Sequence, residues 1–146
     1  MYNILKNCVI TGGSSGLGQA IASQLLKKGA NVIIIARNKL QLDEASKSLE
    51  KDKIYPEQII TSISADVTNF DSVKAAIKQI ELSCKIDVLF SCAGKIKDDD
   101  SIILNPKYVL GSSKPGFFIS QNLEEFKSGM DLNYFGSLNV IKVEKS

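Results

Sequence analysis

Apolar positions along the chain fall into two alternating kinds of segment. Short runs rich in Val and Ile, at Cys8–Thr11, Val32–Ala36, Ile59–Ser64 and Val88–Cys92, predict buried strands. Between them the apolar residues recur every three or four positions: Leu17, Ile21 and Leu25; Leu42, Ala45 and Leu49; Phe70, Val73, Ile77 and Ile80. Those spacings predict three amphipathic helices. Gly29, after Lys27-Lys28, reads as a helix stop. Thr68 or Asn69, with Asp71 in the next turn, reads as the N-cap of the third helix. Strand and helix alternating at this interval predict an α/β fold, a doubly wound parallel sheet with helices on both faces.

The last third is less regular. Lys95–Gly111, which contains Asp98-Asp99-Asp100, shows no period, and Lys114-Pro115-Gly116 is a turn signal. Leu123, Phe126 and Met130 then open a helical pattern that runs through Asn133, Leu138 and Ile141, and the chain stops inside it. There is no internal repeat, and residues 1–146 read as a single domain.

The stretch Thr11-Gly12-Gly13-Ser14-Ser15-Gly16-Leu17-Gly18 joins the first strand to the first helix. Strand, glycine-rich turn and helix form the context of a Rossmann-type dinucleotide loop. Gly12 turns the chain out of the strand, Gly16 lets a pyrophosphate approach the backbone, and Gly18 lets the helix pack near the sheet. The helix N-terminus offers N–H groups and a partial positive charge to phosphates. A ribose with a free 2′-hydroxyl is usually held by an acid roughly twenty residues beyond such a loop. Here the second strand ends in Ala36-Arg37-Asn38, with no acid. Arg37 presents a planar cationic fork suited to a 2′-phosphate, which favours NADP(H) over NAD(H). Ser14 and Lys39 are weaker candidates for the same phosphate. The alternative for Arg37 is a solvated surface arginine.

Composition narrows the chemistry. With 146 residues, 44% of them hydrophobic, the chain can bury a core. A net charge of +2 gives no argument for nucleic acid binding. The absence of histidine removes imidazole catalysis and most zinc sites. Cys8, Cys84 and Cys92 form no C-x-x-C motif, which points to a reducing compartment and away from a metal site. Cys8 and Cys92 read as small buried residues. No apolar run reaches membrane-span length, and the first residues lack a signal-peptide pattern.

Four motifs in order, Thr11-Gly12-x-x-x-Gly16-x-Gly18, Asp66-Val67, Cys92-Ala93-Gly94 and Asn133, resemble the short-chain dehydrogenase/reductase family over most of the chain. Within it, Ala36-Arg37-Asn38, Ser91-Cys92-Ala93-Gly94, Pro115-Gly116-Phe117-Phe118 and Met130–Ser137 are most similar to 3-ketodihydrosphingosine (3-dehydrosphinganine) reductases. The resemblance implies an NADPH-dependent reduction of long-chain 3-ketosphinganine at the cytosolic face of the endoplasmic reticulum membrane. This chain alone is expected to be soluble and cytosolic. The resemblance further implies that Gly12, Ser14, Ser15, Gly16, Leu17 and Gly18 hold the cofactor with Arg37 and Val67. Asp66 would accept from the adenine amino group, and Ala93 and Gly94 would lie along the cofactor. Asn133 would anchor the water relay to the catalytic tyrosine. Two structural alternatives stand beside these: Asp66 as a turn acid before a helix, and Asn133 as an amide tying helix to strand. Family members commonly dimerise through the helix in which this chain ends, which implies a homo-oligomer for the full-length parent.

The chain departs from that family in two ways. The catalytic serine and the Tyr-x-x-x-Lys pair are absent; only Tyr2 has a lysine four residues on, Lys6, and it precedes the first strand. A dinucleotide fold of this type uses about six strands, whereas about four are legible here. The chain is therefore expected to be a C-terminally truncated product, inactive alone, with the fourth strand left as an exposed edge. The family also places far fewer residues between Gly94 and Asn133. Lys95–Gly111 thus reads as an insertion, either a retained intron or gene-model error, or a genuine loop at the ligand crevice. Another short-chain carbonyl reductase, or a non-catalytic nucleotide-binding or inert product, remains the alternative function.

Overall fold

The computed structural model describes residues 6–94 and 123–144. Lys95–Gly111 and the Pro115-Gly116-Phe117-Phe118 segment lie outside the described residues. Four strands, β1 (Asn7–Thr11), β2 (Asn31–Ala36), β3 (Ile60–Ser64) and β4 (Val88–Ser91), alternate with α1 (Gly16–Leu26), α2 (Lys39–Leu49) and α3 (Phe70–Glu81). Two further helices, α4 (Leu123–Met130) and α5 (Gly136–Glu144), are joined by a π-helical turn, Asp131–Phe135.

The strands pair in parallel in the order β3-β2-β1-β4. Thr11 sits opposite Ile35 of β2 and Ser91 of β4. The chain steps outward from β1 to β3, then returns across β1 to place β4. That reversal opens a crevice at the carboxyl ends of β1 and β4, where doubly wound sheets bind ligands. β4 is an edge of the described sheet, with Val88 and Phe90 only half-buried.

The two central strands, β1 and β2, are apolar on both faces because both are covered. Cys8, Ile10, Val32 and Ile34 pack with Ala22 and Leu26 of α1 and Leu42, Ala45 and Leu49 of α2. Val9, Ile33, Ile35 and Ile63 pack with Val73, Ala76, Ile77 and Ile80 of α3 and Val140 and Val143 of α5. This double coverage is what the unbroken Val and Ile runs express.

Ile21 and Leu25 of the expected α1 stripe pack at the margin of the core, and the structure corrects it at Leu17. The buried face is Gly18, Ala22 and Leu26, whereas Leu17 is 70% exposed. The reason is steric: Gly18 must abut the Gly12 carbonyl, so the small-residue face seats on the sheet. Likewise the inward face of α5 is Val140 and Val143, and Ile141 is exposed. Asn69, not Thr68, caps α3: its side chain accepts from the Ser72 N–H at 3.0 Å, while the Thr68 hydroxyl donates to Asp66. The strands also shift by one residue at their ends. Asn7 and Asn31 pair in the ladder, and Asn31 Nδ2 donates to Asn7 Oδ1 at 2.9 Å. Ile59 falls outside β3, its N–H donating to Asn31 Oδ1 at 2.9 Å. Cys92 falls outside β4 because its N–H turns to Thr11.

The loop between α2 and β3 is held by Gln58, which is 2% exposed. Its carbonyl oxygen accepts from the Ile54 and Tyr55 N–H groups, both at 2.8 Å. Its amide nitrogen donates to the Leu26 and Ala30 carbonyls at 2.9 and 2.8 Å. One buried side chain thus ties this loop to the end of α1. Replacing it by leucine removes the acceptor of two N–H groups, at about 1–3 kcal/mol for each group left buried and unpaired. Gln58→Leu is expected to destabilise the fold by about 2–4 kcal/mol in urea unfolding. A midpoint unchanged from wild type would show that this network contributes nothing.

Candidate functional site

The crevice at the sheet's carboxyl edge is a cleft of about 830 Å³. Its first wall is the loop after β1. Gly12 and Gly16 both have positive φ, 71° and 51°, a region that side chains disfavour. The Gly12 N–H donates to the Ile35 carbonyl at 2.7 Å, which folds the loop back over β2. A Cβ on Gly12 would meet the Ala93 Cα and the Cys92 carbonyl at 2.8 Å, so the loop lies tight on the end of β4. Beside Gly16 the space is open, with nothing within 4 Å of where a Cβ would stand. α1 begins there. Its N-cap, Ser15, makes no side-chain cap and its first turn has no acid, whereas Asn38 and Asn69 cap α2 and α3.

Thr11 joins this wall to the next. It is fully buried, and its Oγ1 accepts from the Cys92 and Ala93 N–H groups, each at 3.2 Å. The residues after β4 are thereby fixed against the loop. Across the cleft the π-helical turn brings Asn133 to Gly94: a Cβ on Gly94 would lie 2.9 Å from Asn133 Oδ1. Two bonds seat this turn on the sheet. The Ser91 hydroxyl donates to Ser137 Oγ at 2.9 Å, and Ser137 donates to the Asn133 carbonyl at 3.1 Å. Asn139 Nδ2 donates to the Val67 carbonyl at 3.0 Å, holding the far wall.

Gly12, Ser14, Ser15, Gly16, Leu17, Gly18, Arg37, Val67, Ala93, Gly94 and Asn133 all line this one cleft. Asp66 does not, although Ala65 and Val67 on either side of it do. Its Oδ1 accepts from the Thr68 N–H at 3.0 Å and the Thr68 hydroxyl at 2.8 Å. Burial pushes its carboxyl upward, but the two Thr68 bonds and the charge of Arg37 outweigh it and hold the group below the ordinary carboxylate range. Cys92, expected as buried packing, lines the cleft as well, and burial raises its thiol. Cys8 is buried as expected, 2% exposed.

Lys39 does not line the cleft; its ammonium pairs with Asp43 at 2.7 Å. Gln41 and Leu132 do line it and escaped sequence reasoning. Gln41 carries no signal in the sequence, because Arg37 precedes the α2 N-cap, Asn38, and the two share no helix face. Arg37 is the only charged residue among the described residues that line the cleft, which carries no carboxylate. An uncapped helix N-terminus, a glycine cradle with open space and a single cation suit a phosphorylated ligand.

Two outcomes test this architecture. Thr11→Val keeps the shape but removes the acceptor of the Ala93 N–H, and it should cost about 1–3 kcal/mol in urea unfolding. A wild-type midpoint would mean that the Thr11 clamp is dispensable. Asp66 has a depressed folded-state pKa, so its stabilisation is complete above the ordinary carboxylate pKa and is lost as pH falls through the folded value. The Tm difference between wild type and Asp66→Asn should therefore shrink on acidification. A difference that grows in acid would reverse the sign of that linkage.

A family model described as short chain dehydrogenase matches residues 6–143. The chain is 36% identical over 135 residues to the PIGF/3-ketodihydrosphingosine reductase fusion protein of Schizosaccharomyces pombe, covering 92% of this chain and 24% of that protein. It is 34% identical over 132 residues to the 3-dehydrosphinganine reductase of Danio rerio, covering 89% of this chain and 35% of that one. It thus spans between about a quarter and a third of these relatives' length. Among solved structures, a short-chain type dehydrogenase/reductase from Mycobacterium ulcerans superposes with a TM-score of 0.77 at 25% identity, over 95% of this chain and 45% of that one. The L-sorbose reductase of Gluconobacter frateurii, complexed with NADPH and L-sorbose, superposes with a TM-score of 0.73 at 25% identity, over 95% and 46% of the two chains. The chain belongs to the short-chain dehydrogenase family, and the strands around its cleft are the N-terminal part of that family's fold.

Proposed function

We propose that this chain is the cofactor-binding part of an NADPH-dependent ketone reductase that acts on a long-chain 3-keto base. The observation that carries the cofactor half is the charge of the cleft: one guanidinium and no carboxylate among its described lining residues, beside an uncapped helix N-terminus. In this reading the backbone around Gly12, Ser14, Ser15 and Gly16 holds the pyrophosphate, and Leu17 and Gly18 seat the first turn of α1. Arg37 holds the 2′-phosphate. Ala93 and Gly94 supply a close, nearly side-chain-free wall along the dinucleotide, and Val67 an apolar one. Asp66, at the rim, takes the adenine amino group with the carboxylate oxygen that Thr68 does not use. Asn133 positions the water through which a proton reaches the reacting carbonyl. The nicotinamide, when bound, supplies the hydride. The substrate half of the reading rests on relatives that are 3-ketodihydrosphingosine reductases. In this reading the parent enzyme works at the cytosolic face of the endoplasmic reticulum. No helix among the described residues is long and apolar enough to cross a membrane.

Two experiments test the proposal. The first is cofactor affinity by calorimetry on the 146-residue chain. Arg37→Asp should weaken NADPH by about ten- to a hundredfold, the worth of a charge-assisted hydrogen bond, and leave NADH nearly unchanged. Unaltered selectivity would remove Arg37 from the site. The second is turnover. The only Tyr-x-x-x-Lys spacing in the chain is Tyr2–Lys6, ahead of β1. General acid catalysis contributes about two to four orders of magnitude, and positioning more. The chain by itself should therefore bind NADPH but give no steady oxidation of it with a 3-keto long-chain base. Steady turnover that disappears on Asn133→Ala would overturn this and require another proton donor.

A further inference from the structure

The end of the cleft that holds Arg37 is also lined by a side chain from the neighbouring helix. Gln41, in the first turn of α2, stands there with Ala36, Arg37 and Asn38. Two nearby polar groups have partners of their own. Asn38 Oδ1 accepts from the Leu40 and Gln41 N–H groups at 3.0 and 3.2 Å, so these α2 amides are capped from within. The Lys39 ammonium is held 2.7 Å from Asp43. Leu40 is apolar and 75% exposed. The Gln41 side chain is exposed, and a carboxamide carries two N–H donors. Its place is fixed from below, because Leu42, Ala45 and Leu49 bury the other side of α2 against the sheet.

A phosphate has more acceptor oxygens than one guanidinium fork satisfies. Resting on the dinucleotide reading above, we infer that Gln41 is a specificity-determining residue whose carboxamide N–H donates to the 2′-phosphate alongside Arg37. A carboxylate there would repel the phosphate and pair with Arg37, and both effects weaken the phosphorylated cofactor.

Calorimetric titration of the 146-residue chain with NADPH and with NADH tests this. Gln41→Leu should weaken NADPH by about tenfold, the loss of one hydrogen bond to a charged group, and leave NADH unchanged. Gln41→Lys should tighten NADPH several-fold without moving NADH, a gain that misfolding cannot produce. Gln41→Glu should weaken NADPH more than Gln41→Leu does. Thermal melts by circular dichroism should be the same for all, since the side chain is exposed. If wild type prefers NADPH while the leucine and lysine variants keep its NADPH/NADH ratio, Gln41 has no such role and the Arg37 reading stands alone. If wild type binds both cofactors alike, or neither, the cofactor reading itself fails and this inference falls with it.

Discussion

The close approach of Gly18 to the Gly12 carbonyl governs how the first helix meets the sheet. Any side chain at Gly18 would enter the loop backbone, so α1 seats with its smallest face inward. That seating puts Ala22 and Leu26 in the core, Leu17 at the cleft and the helix N-terminus beside the space at Gly16. The loop itself has no freedom to retreat, because a Cβ on Gly12 would strike Cys92 and Ala93, and one on Gly13 would strike Ile34. Packing around the glycines and the geometry of the anion cradle are therefore one constraint seen from two sides.

The two ends of the sheet are finished by different chemistry. At the amino ends, side-chain amides and carboxylates close the strands laterally. Asn31 bonds Asn7, and the Asn7 backbone and side chain reach Asp87 and the Lys85 carbonyl. At the carboxyl ends, Thr11 is the buried side chain that bridges strands, and the Gly12 and Ala65 N–H groups donate to the Ile35 and Ala36 carbonyls. A polar row that satisfies itself stabilises, and an end whose helix amides have no internal partner can bind. The site lies where α1 begins without a side-chain cap.

Much of this was legible in the sequence because strands covered on both faces read as unbroken Val and Ile runs, and because glycines mark close approach. Of the cleft residues, Gly12, Gly16 and Gly18 came from a glycine pattern that reflects backbone geometry and Arg37 from its charge at the end of the second strand, whereas Ala93, Gly94 and Asn133 came from resemblance to a family. The misses have equally physical causes. Of the α1 repeat Leu17, Ile21 and Leu25, the last two do pack against the core, but van der Waals contact at Gly18 decided the rotation and left Leu17 at the cleft, and glycine and alanine carry little hydropathic weight. Gln58 gave no signal, since a buried amide is recognised only by its four partners. Gln41 was hidden because the cleft joins it to Arg37 across a helix start, and side-chain exposure at a ligand wall looks like ordinary solvation in a sequence.

The π-helical turn shows why a helical pattern alone could not place Asn133. Gly136 opens α5 against Val67, where a Cβ would stand 2.9 Å from Val67 Cγ2, and Asn139 one turn later holds the Val67 carbonyl. Those two contacts fix the rotation of α5 on the far wall of the cleft. A continuous α-helix would then have fixed Asn133 too, three residues earlier on the same register. A π-turn inserts one extra residue, which rotates the helix before it by about 100° relative to the helix after it. Asn133 lies inside that turn, with its Oδ1 at Gly94, while Gly136 stays on Val67. The irregularity lets one helical segment serve both walls: it grips β3's exit through Val67 and presents an amide to β4's exit through Gly94. Regularising the turn would have to sacrifice one of those contacts, so the position of Asn133 is set by packing on both sides of the cleft and not by helix periodicity.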